Sequence, residues 1–597
     1  MAASLTLVSI FAPVVFMQGV IGSFFRSFAV VITFGVLVSL FVSVTLTPML
    51  CSRYLQVGRR HGRLYRFLEG GFRALERGYR GLLRGALRFR WLVVVLALLA
   101  VWPSGWFLGQ LGKGFLPEED EGRFLISFKT PLGSTLDYTD RRLARVERVL
   151  ARHPEIASWL STIGTGETGQ ASRGDVFVRL QPRQQRQLHM YRIIDRLRDE
   201  LAKIPGIKAF PSPVPPLGGQ RGEPLQFVLL GPDVASVAQW SRRLQQRLNA
   251  LPQLGGVDLD LQLELPQLSL HIDRTRAQDI GLSTHDIALA VNVLAGGLDV
   301  AKYNDLPGDG ERYDVRLKAR EGSFRSPDDL DHIYLRGRDG KLVRLDTVVT
   351  LRQGIGPAVV TRFDLRYSGN FYATPKIAEG AAAQLVKDTA RGLLPPGYQL
   401  KMIGRAEEFE KTGKYMLFAF VSAIVLVYMV LASQFDSFIQ PFVIMLAQPL
   451  AIVGGVAGLW LAGMSLNIFS MMGLVLLMGL VAKNSILLID LTNQQRARGR
   501  GVDQALLEAC PLRLRPVLMI SLTIIITMLP AAIGIGAGAD TNGPLAVAVI
   551  GGMVSSTLLT LVVVPAVYSL VENGLARLRG WLGRGPEGPA AAPLDDG

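Results

Sequence analysis

The chain has 597 residues, 49% of them hydrophobic and only 19% charged. Soluble domains carry about 25% charge, so this composition points to membrane, and the length allows roughly four domains. Lys and Arg outnumber Asp and Glu by 64 to 49, a basic balance that suits nucleic acid or an anionic membrane surface.

Apolar runs long enough to cross a bilayer fall at about 1–25 (with a break near Gln18-Gly19), 28–51, 91–109, 415–434, 438–464, 466–489, 516–538 and 545–571. Eight crossings are expected. The segment 52–90 carries Arg53, Arg59, Arg60, Arg63, Arg66, Arg73, Arg77, Arg80, Arg84, Arg88 and Arg90 against Glu69 and Glu76 alone. Arg496, Arg498, Arg500, Arg513 and Arg515, then Arg577, Arg579 and Arg584, fall on the same side if the spans alternate. That side is expected to be the cytoplasm, which selects the membrane over nucleic acid and puts residues 111–412 outside. Within 52–90, Leu64, Phe67, Leu68, Phe72, Leu75, Tyr79, Leu82 and Leu83 recur at helical spacing, which predicts an amphipathic helix on the inner leaflet.

The outer region alternates strand and helix. Strands are expected at 124–130, 175–180, 225–230, 359–365 and 398–403, and helices at 136–150, 190–201, 235–248 and 378–393. Ser134 and Asp137 offer a capping box for the first helix. Such units suggest two ferredoxin-like βαβ sandwiches, at 111–222 and at 223–272 with 355–412. The Pro/Gly stretch 211–222 divides them. Residues 273–354 read as an inserted domain of strands with a hairpin at Arg338-Asp339-Gly340. The expected fold is thus a membrane α-helical bundle with a large α+β outer region. It divides into spans at 1–51, 91–110 and 413–572, a basic helix at 52–90, and a disordered tail at 573–597.

A shift of 517 residues sets Ser4-Leu5-Thr6 on Ser521-Leu522-Thr523, Pro13 on Pro530, Gly19 on Gly536, Gly35 on Gly552, Ser39 on Ser556 and Pro48 on Pro565. Duplicated halves are a transporter architecture. Residues 91–571 make a six-span unit, so 1–51 read as the last two spans of an earlier one. The expectation is the C-terminal part of a twelve-span protein, with eight spans here.

Chemistry narrows the choice. Cys51 and Cys510 are the only cysteines, too few for a disulfide scaffold or a four-cysteine metal site. His61, His153, His189, His271, His285 and His332 are scattered, with no HExxH pattern. The three Gly-Lys steps continue with Gly114, Leu342 and Tyr415, so no Walker A loop is present. No enzyme activity and no cofactor are expected. Lys483 is the one charge inside the spans as drawn, at an insertion cost of about 2.5–3.5 kcal/mol. Asn484, Ser485, Ser521, Thr523 and Thr527 are candidate hydrogen-bond partners, but none supplies the negative charge that would keep it protonated.

The segments GLVAKNSILLID (479–490), VYMVLASQFDS (427–437), RLRP (513–516) and GFLPEED (114–120) resemble those of resistance–nodulation–division (RND) efflux pumps, hydrophobe/amphiphile branch. The resemblance implies a homotrimeric, proton-driven exporter of amphiphilic compounds in the Gram-negative inner membrane. Its implied partners are a periplasmic adaptor (membrane fusion) protein and an outer-membrane channel. The sandwiches would be porter subdomains and the insert a docking subdomain. Lys483 matches the relay lysine, beside Asn484, and Arg513 the relay arginine. The relay threonine falls on Ile520, so Ser521 or Thr523 would replace it. The two relay aspartates belong to a span of the first half, facing Lys483-Asn484. The substrate pocket is phenylalanine-rich in the family, and Phe177, just after the glycine-rich loop 164–174, is the one match. Only Met190 and Met402 lie outside the membrane, against soft-metal export. Two further expectations are an inactive or accessory remnant that binds partners without transport, and a receptor-like relative that senses lipids.

Overall fold

The computed structural model describes residues 2–55, 63–164, 169–215, 221–304, 310, 312–320, 327–536 and 538–581. Among these, seven helices are long and apolar enough to cross a membrane, and the chain is a multi-pass membrane protein. The run expected at 1–25 breaks near Gln18-Gly19 as expected, but its first part is not long enough to count as a crossing. Helix α1 (Ala2–Val15) ends ahead of Gln18, and α2 (Gly19–Val44) starts anew at Gly19. At 14 residues α1 is about 21 Å long, short of a ~30 Å hydrocarbon core. Helix α3 (Leu46–Tyr54) prolongs α2 beyond a bend at Thr45, whose backbone amide and hydroxyl both donate to Phe41 O. Helix α4 (Arg63–Arg88) precedes α5 (Arg90–Val101) and α6 (Pro103–Gln110), which form one crossing bent at Pro103.

The outer region opens with β1 (Arg123–Lys129), α7 (Leu136–Leu150), β2 (Ile156–Ile163), β3 (Arg173–Leu180), α8 (Met190–Leu201) and β4 (Lys208–Pro213). The strands form one antiparallel sheet ordered β2-β3-β1-β4. Leu143, Val146 and Leu150 of α7, with Ile193, Ile194, Leu197 and Leu201 of α8, repeat at three and four residues. That spacing puts them on one stripe, buried against Phe124, Ile126, Phe128, Val176 and Val178. The cap of α7 is Thr135, whose hydroxyl accepts from Tyr138 N, and not Ser134, whose hydroxyl donates to Pro131 O. The expected divider at 211–222 starts too early, because Pro211 and Pro213 belong to β4. As an edge strand, β4 leaves its outer side unpaired, where proline is tolerated.

The second sheet uses the same order of elements, interrupted once. After β5 (Leu225–Gly231), α9 (Val234–Asn249) and β6 (Val257–Asp260), the chain leaves through β7 (Leu265–Ile272). It then forms α10 (Arg274–Ile280), α11 (Thr284–Ala295), the hairpin β8 (Leu298–Asn304) with β9 (Arg312–Leu317), the hairpin β10 (Tyr334–Arg336) with β11 (Leu342–Arg344), and β12 (Val349–Gly356). It returns as β13 (Arg362–Phe363), β14 (Arg366–Ala373), α12 (Glu379–Arg391) and β15 (Gln399–Ile403), giving the order β13-β14-β5-β15 with β6 on β14. The insert is closed at its base by β7 and β12, with Leu265 opposite Gly356. It holds α10 and α11 where strands alone are expected. The strand expected at 359–365 is broken, because Asp364 and Leu365 both adopt positive φ, 49° and 64°. They form a two-residue turn between Phe363 and Arg366, the backbone of a primed hairpin turn.

The bundle is completed by α13 (Arg405–Phe435), α14 (Gln440–Met445), α15 (Ala447–Leu461), α16 (Ile468–Ala497), α17 (Val502–Ile533) and α18 (Ala539–Trp581). Helix α18 runs through 573–581, so the disorder expected from 573 does not begin there; 582–597 lie outside the described residues. Tyr79, Leu83, Ala86 and Leu87 of α4 are buried; the Tyr79 hydroxyl donates to Leu561 O on α18, and Arg515 of α17 binds Glu69. Residues 111–120 join bundle to sheets. Gly114 N donates to Leu466 O and Phe115 N to the Glu379 carboxylate, which also binds Arg405. The Asp120 carboxylate takes Arg186 and Met190 N, while its own amide donates to Asp540 at the head of α18.

The 517-residue correspondence has a structural counterpart. Gly19, the first residue of α2, and Gly536, just ahead of α18, both hold positive φ, 79° and 104°, a conformation glycine adopts without penalty. Gly35 and Gly552 differ in surroundings. A Cβ at Gly552 would lie 2.9 Å from Ala451 O and closer still to Leu477, whereas one at Gly35 meets nothing within 4 Å. Gly552→Ala is therefore expected to cost about 1–3 kcal/mol through overpacking. Gly35→Ala should be neutral or gain up to about 1 kcal/mol from helix propensity. Thermal unfolding of the two purified variants checks this, and equal shifts would contradict the packing assignment.

Candidate functional site

Helix α16 is fixed at its start by a reciprocal cap. The Asn467 side chain accepts from Phe469 N and Ser470 N, and the Ser470 hydroxyl accepts from Asn467 N. Fifteen residues on, about 22 Å along the axis, comes Lys483. The helix continues to Ala497, so Lys483 stands near its middle. Its neighbours Ala482, Asn484 and Ser485 are buried while Lys483 itself is exposed on the opposite face. One turn away α1 crosses α16 at Gly479, where a Cβ would meet Leu7. Among the described residues Lys483 has no hydrogen bond or ion pair.

The polar residues around it sort by face. Both amide atoms of Asn484, the hydroxyls of Ser485, Ser556 and Thr560, and the Gln448 amide nitrogen are buried without a protein partner. The contact of Leu477 with Gly552 sets the register of α16 and α18, which run in the same sense. Residues 484 and 559 thus lie at one level, and Ser556 and Thr560 flank it. Ser521 accepts from Thr557 of α18. Thr523 is exposed and donates to its own helix at Met519 O, as Thr527 does at Thr523 O. None of these bonds Lys483. Arg513 is half-buried, its Nε without a partner, and Ile520 is half-buried too. Arg513 lies about 30 Å from the far end of α17 and Lys483 about 22 Å from the start of α16, so Arg513 stands nearer the turn that joins the two helices. An ammonium so placed calls for a carboxylate partner. Among the described residues no His, Cys, Asp or Glu group could hold a metal ion.

A second site lies between the sheets. A cavity of about 460 Å³ is lined by Lys129, Arg173, Lys208, Asp260 and Gln262. Behind it the charges interlock. Arg173 holds Asp260 through two bonds, Lys129 Nζ lies 2.7 Å from both Asp258 oxygens, and Arg221 spans Asp258 and Glu223. The Arg221 guanidinium also sits between the rings of Phe210 and Tyr372, 4.4 and 4.2 Å from their centroids. Burial raises the Asp260 carboxyl, but Arg173, then Lys129 and Arg221, outweigh it and hold it below the ordinary Asp value. Burial lowers the Lys129 ammonium against the pull of Asp258. Sequence reading missed this network, since its members are scattered singly between strands and linker. Phe177 is not part of it. It stands on the face of the first sheet away from the helices, beside Leu160, and the two are 50% and 63% exposed. Residues 165–168 of the adjoining loop lie outside the described residues.

A family model described as the AcrB/AcrD/AcrF family matches residues 1–572.

Because Asp260 is held below its unfolded value, about 3.9, the stability it contributes is present above that value and is lost as pH falls through the folded one. Arg173→Ala leaves a buried carboxylate unpaired, at about 3 kcal/mol. The variant should melt several degrees lower than the parent at pH 7, with a narrower gap at pH 3. Differential scanning fluorimetry at the two pH values checks both limbs; a gap independent of pH would exclude the ion pair as its source.

Proposed function

The chain belongs to the AcrB/AcrD/AcrF family of RND permeases, and from that premise we propose that it drives the export of amphiphilic and hydrophobic compounds by proton exchange at Lys483. The family is one of transporters and not of enzymes. On this reading the arginine-rich ends of the helices face the cytoplasm of a Gram-negative cell, and residues 111–412 lie in the periplasm. The two sheets, each built in β-α-β-β-α-β order, serve as ferredoxin-like porter subdomains that admit substrate. The insert docks an outer-membrane channel, a periplasmic adaptor joins the two, and three copies assemble.

The supporting observation is Lys483 itself, a mid-helix cation without a protein partner among the described residues, backed by Asn484 and Ser485 with unpaired polar atoms. A charge costing about 2.5–3.5 kcal/mol to insert persists where it is used. The lysine takes a proton when a carboxylate faces it and gives the proton up when that carboxylate is itself protonated. Arg513 raises the positive potential nearer the cytoplasmic side, while Asn484 and Ser521 face the buried sides of their helices and Thr523 the outer side, so none of these three stands beside Lys483. Phe177, exposed on its sheet, offers an aromatic contact to substrate.

Lys483→Met is expected to abolish export at normal membrane expression. Lys483→Arg should fail as well, since an arginine keeps its charge but does not release a proton. Dye-efflux and drug-accumulation assays in a pump-deleted host decide; normal export by Lys483→Met would sink the assignment. Arg513→Ala is expected to weaken export without ending it, because water screens charge near the cytoplasmic boundary. Total loss in both variants at matched protein levels would reverse that ranking.

A further inference from the structure

We propose that the arginine face of α4 seats anionic phospholipids of the cytoplasmic leaflet. Arg73, Arg77, Arg80, Arg84 and Arg88 follow one another at intervals of four, three, four and four residues. At 3.6 residues per turn all five fall within about 80° around the helix. All are exposed, and like charges four residues apart repel. The two acids of the helix are engaged elsewhere: Glu69 binds Arg515 and Arg73, and Glu76 lies 3.9 Å from Arg515. Arg80 and Arg84 have no acidic partner among the described residues. A counter-charge must come from outside the chain.

Depth identifies its source. The Tyr79 hydroxyl donates to Leu561 O, and Leu561 lies 22 residues into α18, about 33 Å along it. Arg515, which holds Glu69, lies about 27 Å from the far end of α17. Both distances match a hydrocarbon core of about 30 Å, so α4 runs along the boundary where phosphate groups sit. Across the buried face from the arginines, Leu75 and Leu82 are 50% and 54% exposed. An apolar edge on one flank and a guanidinium row on the other match a leaflet of anionic headgroups and acyl chains. A soluble anion would use only the second.

The proposal uses the orientation given above but not transport: phosphatidylglycerol binding by a chain that fails to export would remove the transport reading and leave this one standing. The test is a titration of the purified full chain, in neutral detergent, with dioleoylphosphatidylglycerol, dioleoylphosphatidylcholine or inorganic phosphate, with retained molecules counted by native mass spectrometry. Phosphatidylglycerol should be retained, phosphatidylcholine should not, and millimolar phosphate should not displace the lipid. The variant Arg77→Gln/Arg80→Gln/Arg84→Gln, which keeps helix propensity, should bind about fivefold more weakly per arginine, on the order of a hundredfold for three. Arg77→Lys/Arg80→Lys/Arg84→Lys should retain most of the binding. Equal retention of both lipids, no loss in the glutamine variant, displacement by phosphate, or nucleic acid retained in place of lipid would each overturn the proposal. If the glutamine variant fails to fold, the lipid pair and the lysine variant still decide, since loss of binding in a folded lysine variant contradicts a charge-based site.

Discussion

The close crossing of α15 and α18 is the constraint on which the bundle depends. A Cβ on Gly454 would stand 2.6 Å from Gly551 O, and one on Gly551 2.5 Å from Gly454 O. In lipid no hydrophobic gain separates helix contact from lipid contact, so backbones that approach this closely supply the attraction through dispersion and shape. Ser555 adds a hydrogen bond from its hydroxyl to Leu450 O. With α15 and α18 fixed together, α16 is enclosed on all but one stripe. Lys483 lies on that stripe. A lysine shifted by one residue would replace Asn484 and bury its charge among Ser556 and Thr560, where the desolvation cost is far greater.

The second dependence is mechanical. Residues 114–120 leave the bundle as a strap tied at three of its amides. Leu466 O holds Gly114, Glu379 holds Phe115, and Asp540 holds the amide of Asp120. Burial raises the Asp120 carboxyl, but Arg186 and the Met190 amide more than compensate and keep it below its ordinary value. Movement of α18 at Asp540 therefore reaches the start of α8 through one residue. Movement of α13 at Arg405 reaches α12 through Glu379. Beyond the strap, the network of Lys129, Arg173, Arg221, Asp258 and Asp260 joins the two sheets beside the cavity between them.

Much of this was legible in the amino-acid order where periodicity was strong. Helices α7 and α8 fall at 136–150 and 190–201 as their apolar stripes predict, because a three-four repeat has one solution. Elements that obey no period were not legible. Strand β2 has a run of exposed residues from 157 to 160, and β4 carries two prolines that read as linker. The turn at Asp364-Leu365 uses neither Asn nor Gly, so its positive φ angles left no signature, and β14 begins where the pattern had already ended. Lys483 was visible as a solitary charge. What was not visible is that Ser521 faces α18 and Thr523 faces outward, since both depend on the rotation of α17 and not on its composition. The family itself was legible from four short segments, three of which lie where helices end or carry charge.

The placing of the insert has a temporal consequence. Strands β6 and β14 are immediate neighbours in the second sheet, yet the whole of β7 to β12 is synthesised between them. The first sheet is contiguous and can close as soon as β4 emerges. The second must hold β5, α9 and β6 as an open half, with both strands lacking a partner, until β14 arrives. During that interval β12 can zip onto β7 and bring the two ends of the insert together, which shortens the loop that β14 must close and lowers its entropy cost. The β7–β12 ladder thus works as a clasp during biogenesis, and the insert can change in length or content without disturbing the sheet that carries it.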